Sequence, residues 1–303
     1  MSGPVSALNI LFSVVSDAGY AVACGCLLAI RWLNDAAIKI NQPRILRRVF
    51  LACVGGLVLG QIVRPWFSAA SMSGSNGFAE NLALIPDVIF STHQGKVWYV
   101  GSLGLVTLIA TVFFTGRQTR TAWRWQFPLS LFLIACAKAA SGHAAGDGDF
   151  TLAELSMLLH IGGTAIWAGT VVASGFVVVP GLAKLPDPQA LWNYAGLLSR
   201  TVTWALMAIL LSGIYTSWRE LDGSLSGLWS SGWGRILLTK IAFVSLALAL
   251  GAITRFKCVQ RPATSESAER MVRLLRAEAL IMIVILCLSG LLANTAPAMM
   301  DMG

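Results

Sequence analysis

Residues 152–179 read LAELSMLLHIGGTAIWAGTVVASGFVVV, and this stretch decides the class of fold. Its only ionisable side chains are those of Glu154 and His160. A helix of about 20 mostly apolar residues crosses the roughly 30 Å hydrocarbon layer of a membrane. Thr151, with Glu154 three residues later, fits an N-terminal capping box and predicts a helix that begins directly after Thr151 and continues to Pro180. The stretch therefore predicts a membrane-spanning helix.

The composition of the whole chain indicates a polytopic membrane protein. Hydrophobic residues make up 56% of the 303 residues and charged residues only 12%, whereas a soluble domain carries about a quarter charged residues. We expect an all-α, integral membrane helical bundle of about eight transmembrane helices that forms a single membrane domain over residues 1–303. The predicted spans are about 7–30, 48–68, 97–116, 126–142, 152–179, 190–217, 233–254 and 272–293.

The basic residues alternate from loop to loop and predict the orientation of the chain. They concentrate in the loops after the first, third and seventh predicted spans: Arg31, Lys39, Arg44, Arg47, Arg48, Arg117, Arg120, Arg124, Arg255, Lys257, Arg261 and Arg270. Such loops face the cytoplasm. We therefore expect a multi-pass protein of the bacterial inner membrane with both termini periplasmic. Because the net charge of +8 lies in short loops, a nucleic-acid-binding function is excluded. The longest outer connection, about 69–96, is predicted to hold a short helix near 81–90.

The three histidines, His93, His143 and His160, all fall in the predicted outer half of the protein. Met157 lies three residues before His160 and therefore shares its helix face. Imidazole and thioether groups are suitable ligands for copper, particularly Cu(I). These residues predict an outer copper site. For His160 and Met157 the alternative interpretation is a structural role in helix packing. Further candidate ligands are the methionines of the C-terminal tail, Met299, Met300 and Met302.

Several ionisable side chains lie within the predicted spans. Asp17 belongs to the first span and Lys240 to the seventh, and charges at such depth pair with one another or line water. We expect Asp17 to lie near His160 and Lys240 and to contribute to an ion or proton path. The alternative is a static Asp17–Lys240 pair that holds helices together. Glu154 and Trp167 are further candidates for this path.

Several short motifs follow one another in an order and spacing that resemble a known family. They are Gly142-His143-Ala144, Leu159-His160, Ala165-Ile-Trp167-Ala-Gly169, Leu198-Ser-Arg200, Ser212-Gly-Ile-Tyr215, Trp233-Gly-Arg235-Ile-Leu-Leu-Thr-Lys240 and Arg276-Ala-Glu278. Over residues 140–298 they resemble the CopD/PcoD family of bacterial inner-membrane copper proteins, which also occurs fused to a CopC domain in YcnJ-type proteins.

This resemblance implies a function, a partner and roles for particular residues. It implies transport of copper across the inner membrane and copper resistance, with a periplasmic CopC-type copper carrier as partner. His143 and His160 would be candidate copper ligands, Trp167 and Gly169 would pack around them, and Lys240 would be a buried charge.

Three functions remain open at this point. The first is copper transport, with uptake from the periplasm favoured because the candidate ligands cluster at the outer side. The second is a haem-binding membrane redox protein, in which helix histidines are the axial ligands. The third is a copper-binding scaffold or sensor that transports nothing. An enzyme is not expected, because the chain has no Ser-His-Asp spacing and no His-Glu-x-x-His motif.

Overall fold

The computed structural model of the chain describes residues 4–35, 42–114, 120–141, 148–186, 188–221, 226–256 and 264–295. Within these residues every regular element is helical. The helices are α1 (Pro4–Asp35), α2 (Gln42–Ser73), α3 (Phe78–Ser91), α4 (His93–Phe114), α5 (Arg120–Ala139), α6 (Leu152–Ala173), α7 (Val179–Leu182), α8 (Gln189–Glu220), α9 (Gly227–Ser230), α10 (Gly232–Thr254) and α11 (Ser265–Ala293). A π-helical turn, Ser174–Val178, joins α6 to α7.

The helices confirm the predicted polytopic membrane fold. Seven helical stretches of the described residues are long and apolar enough to cross a membrane: Val5–Asn34, Gln42–Ser73, His93–Phe113, Leu152–Leu182, Gln189–Glu220, Gly232–Thr254 and Glu266–Ala293. The remaining predicted span corresponds to α5, whose apolar stretch, Trp125–Ala139, is shorter. At 1.5 Å per residue this stretch covers about 22 Å, less than the roughly 30 Å of a hydrocarbon layer. An eighth crossing, and with it the periplasmic position of both termini, stays a prediction.

The start of α6 lies where the capping residues predict it. The helix begins at Leu152, and the Thr151 hydroxyl accepts a hydrogen bond from the backbone N–H of Glu154 at 3.3 Å. The Glu154 carboxylate accepts from the backbone N–H of Phe150 at 2.6 Å. In a standard capping box this second bond comes from the N-cap residue itself. Here the second bond comes instead from Phe150, the residue before Thr151. The cap therefore also holds the turn that precedes the helix.

The predicted end of this helix at Pro180 is wrong, because the helical path continues to Leu182. In the π-helical turn before the proline, the backbone N–H of Val179 bonds to the carbonyl of Ser174, five residues back. A proline ring has no N–H and crowds the carbonyl four residues before it in a regular α-helix. The wider π turn relieves this crowding, so the chain remains helical past Pro180.

The short helix predicted near residues 81–90 is present as α3, Phe78–Ser91. Its Asn81 side chain is fully buried and accepts a hydrogen bond from the Ser73 hydroxyl at 2.8 Å. The Asn81 amide also donates to the backbone carbonyl of Ser75 at 3.0 Å. Because Ser73 is the last residue of α2, this buried amide ties α3 to the end of α2.

The chain forms two compact units. The first unit consists of Met1–Ser16 and Val54–Gly162, and the second of Asp17–Cys53 and Gly163–Gly303. Within the second unit, α1 and α6 cross at Gly25 and Gly169. A Cβ atom on Gly25 would overlap the backbone carbonyl of Gly169, and one on Gly169 would overlap the backbone oxygen of Ala21. Both positions therefore require glycine, because the two backbones touch.

Candidate metal site

His93, the first residue of α4, makes contacts through both of its ring nitrogens. Its Nε2 lies 3.1 Å from the backbone carbonyl oxygen of Ala140. A carbonyl oxygen only accepts hydrogen bonds, so Nε2 carries a proton and donates it. Its Nδ1 lies 3.4 Å from Oδ1 of Asp149. The ring is therefore held between the end of α5 and the turn before α6.

The Nδ1 atom of His93 and the Oδ1 atom of Asp149 lie close enough together to share one cation. When the imidazole is neutral with the proton on Nε2, the lone pair of Nδ1 is the free one. A lone pair and a carboxylate oxygen at this separation are stabilised by a shared cation, either a proton or a metal ion. Metal-binding histidines usually donate their second ring N–H to a carbonyl or carboxylate. His93 meets that condition through Ala140, so its Nδ1 is oriented as a metal ligand would be.

The turn that carries Asp149 is held in an uncommon backbone conformation. Phe150 has a φ of 60°, in the left-handed region that non-glycine residues rarely adopt. The Glu154 carboxylate stabilises the turn by accepting from the Phe150 backbone N–H. Phe150 itself is almost fully exposed, so its side chain does not hold the turn in place. Glu154 thus positions Asp149 beside His93.

Glu154 also has one oxygen that is not used in the turn. Its Oε1 is buried and has no hydrogen-bond partner among the described residues. The Cys136 thiol of α5, in the same unit, lies within electrostatic range of this carboxylate. A buried oxygen without a partner is costly unless it binds a cation or water. Glu154 thus holds the turn through one oxygen and leaves the other without a described hydrogen-bond partner.

The other predicted ligands are not all brought together by the structure. His160 and Met157 are half-buried on α6. His143 and the three methionines of the C-terminal tail, Met299, Met300 and Met302, lie outside the described residues. In the part of the chain that the structure describes, no group of three or more His, Cys, Asp and Glu side chains is close enough to hold a metal ion. The described centre is thus the His93–Asp149 pair.

The second unit contains the predicted buried charges of α1 and α10. Asp17 and Lys240 interact electrostatically, as expected for opposite charges within predicted spans. Trp167 is 2% exposed and interacts with the carboxyl group of Glu278 in α11. The sequence alone gives Glu278 no role beyond its place in the Arg276-Ala-Glu278 motif. The sequence feature that could have identified Glu278 as a functional candidate is its acidic side chain inside the last predicted span.

Comparison with known proteins identifies the family of this chain. The model of the copper resistance protein D-like N-terminal domain matches residues 4–153, and the model of copper resistance protein D matches residues 188–292. The chain belongs to the copper resistance protein D family. This confirms the resemblance found in the motifs and extends it to the first half of the chain, which carries His93.

Two curated relatives are similar to this chain, at 28% and 26% sequence identity. Copper transport protein CutJ of Bacillus subtilis (strain 168) is 28% identical over 214 residues, which are 68% of this chain and 39% of that protein. Copper resistance protein D of Pseudomonas syringae pv. tomato is 26% identical over 218 residues, which are 71% of this chain and 69% of that protein. The chain thus spans less than half the length of the first relative. No solved structure matches it significantly.

Proposed function

We propose that this protein transports copper across the bacterial inner membrane, and that its outer site is built on His93 and Asp149. The observation that supports this most directly is the geometry of His93. Its Nε2–H is occupied by Ala140 and its Nδ1 is directed to a carboxylate, in a chain whose family is named for copper resistance.

His143 is the third ligand in this proposal. Ala140 and Asp149, which stand on either side of the segment that carries His143, both contact His93. His143 follows Ala140 by three positions in the sequence. In the proposal its imidazole supplies a second nitrogen ligand to the site.

The ligand types determine which oxidation state of copper each part of the proposed transport path binds. Imidazole nitrogen with carboxylate oxygen suits Cu(II), whereas thioether sulfur suits Cu(I). The His93–Asp149 pair alone thus favours Cu(II). The predicted preference for Cu(I) depends on Met157 and the methionines of the C-terminal tail.

We further propose uptake, with copper delivered from the periplasm by a CopC-type carrier. The His93 and Asp149 side chains are 38% and 55% exposed, so a carrier protein or free copper reaches them without a change of fold. Copper then passes to His160 and Met157 on α6. The uptake direction follows from the predicted orientation of the chain, in which this site faces the periplasm.

The test of this proposal is copper flux through the purified protein in liposomes. We expect proteoliposomes with wild-type protein to accumulate copper faster than empty liposomes, and Asp149→Asn to reduce this rate. The matched control is Asp87→Asn, since Asp87 is another exposed outer carboxylate of the same unit. If wild-type protein binds copper but matches empty liposomes, the scaffold or sensor function replaces transport. A Soret absorption band in the purified protein would instead support the haem-binding alternative.

A further inference from the structure

Glu278 is an acidic side chain buried within a membrane-spanning helix. It is 4% exposed and lies in the middle of the spanning stretch Glu266–Ala293. An ionised carboxylate in such surroundings is expensive, and intramembrane acids commonly belong to ion or proton paths. The copper site proposed above does not use this residue.

Two other helices of the second unit contribute the surroundings of this carboxyl group. Gly251 of α10 faces it closely, since a Cβ atom on Gly251 would lie 3.4 Å from the Glu278 Oε1. Trp167 of α6 presents its indole to the same carboxyl group. The indole Nε1 is buried and has no partner in normal hydrogen-bond geometry among the described residues. A donor that is not fully satisfied thus lies beside an acceptor.

Among the described residues, the neighbouring elements show no fixed cation beside Glu278. The part of α6 in this unit, the π-helical turn and α7 contain no ionisable residue between Gly163 and Leu182. On α10, Lys240 interacts with Asp17 instead. Just beyond α10, Arg255 donates to the Thr203 hydroxyl at 3.2 Å. On α11 itself, Arg273 and Arg276 are exposed.

The π-helical turn gives this region a second distinctive feature. A Cβ atom on Gly175 of that turn would come within 2.6 Å of the backbone oxygen of Leu275. Leu275 lies three residues before Glu278 and therefore on the same face of α11. π-helical turns inside α-helices occur frequently at functional sites. The irregular helix thus packs directly against the face that carries the acid.

We propose that Glu278 is the proton-binding residue that couples copper transport to the transmembrane pH gradient. The inference rests on the proposed transport function. A proton, rather than copper, is the ligand, because the groups described at the carboxyl group are the Trp167 indole and Gly251, and neither offers the imidazole, thiol or thioether that Cu(I) prefers. In each cycle the carboxylate takes a proton from water on one side, becomes a neutral acid and releases the proton on the other side. No bond to copper forms and no group is oxidised.

Two measurements on the same reconstituted protein test this proposal. The first is the infrared difference spectrum on a change of pH, in which protonated Glu278 contributes a carboxylic C=O band. The second is copper flux with and without an imposed pH gradient. The test variant is Glu278→Gln, with Glu278→Asp to retain the carboxyl group. The matched control is Glu269→Gln, because Glu269 lies on the same helix but is 75% exposed.

We expect wild-type protein and Glu269→Gln to show the band and a flux that responds to the gradient. Glu278→Gln is expected to lose the band and to give equal flux with and without the gradient, while Glu278→Asp retains both responses. A gradient response that persists in Glu278→Gln, or one that is absent from a wild-type protein that transports copper, overturns the coupling alone. Absence of copper flux from the wild type under every condition overturns the proposed function and the coupling with it.

Discussion

Gly169→Ala is expected to prevent the protein from reaching a stable fold. The added Cβ atom would overlap the backbone oxygen of Ala21 on α1, and a backbone group cannot move aside by changing rotamer. Overpacking of this kind costs about 3 kcal/mol or more when rigid backbone is involved. The measurement is thermal unfolding in detergent, followed by circular dichroism, together with the yield of monodisperse protein.

The matched control for this variant is Gly196→Ala in α8. A Cβ atom there meets no atom within 4 Å, and alanine is favoured over glycine in a helix by about 1 kcal/mol. We therefore expect unfolding of Gly196→Ala at the wild-type temperature or slightly above it. Equal unfolding temperatures for Gly169→Ala and Gly196→Ala would show that α1 and α6 do not cross at these residues.

His93→Ala is expected to abolish tight binding of copper, and Asp149→Asn is expected to weaken it. In the proposed site His93 supplies the nitrogen ligand, so its loss would remove the centre of that site. The Asp149 carboxylate acts beside that nitrogen, and the loss of such a partner typically costs about 10- to 100-fold in metal affinity. Competition titrations of the purified proteins with a chelator of known affinity measure both effects.

The control for these two variants is again Asp87→Asn, which removes an exposed carboxylate of α3 that is not one of the proposed ligands. Its affinity should equal that of the wild type. Equal affinity of His93→Ala and wild type, with both proteins folded, would place the copper site elsewhere in the chain.

The two ends of the long helix that starts at Leu152 show what local sequence predicts and what it does not. The start depends on hydrogen bonds between residues at most four positions apart, Thr151, Phe150 and Glu154, and the sequence predicts it correctly. The end depends on a π-helical turn that packs against α11, about 100 residues later in the chain. No local pattern in the sequence predicts that contact. The proline alone therefore predicts, wrongly, that the helix ends at Pro180.

The candidate site was predictable only in part, for the same reason. The chain has only three histidines, and all of them fall in the predicted outer half of the protein. This position makes His93 a candidate ligand. Its partners were not predictable, because Ala140 is 47 positions away in sequence and Asp149 is an ordinary acidic residue of a loop. The surroundings of Glu278 were likewise not predictable, because Trp167 and Gly251 approach it from two other helices.

The X-ray absorption fine structure of the copper-loaded protein tests most directly whether copper binds at His93. We expect the wild-type spectrum to show scattering from imidazole rings, and His93→Ala to lose part of that scattering at equal copper loading. A spectrum with sulfur ligands alone, or imidazole scattering that is unchanged in His93→Ala, would contradict the assignment of His93 and Asp149 as the outer copper site.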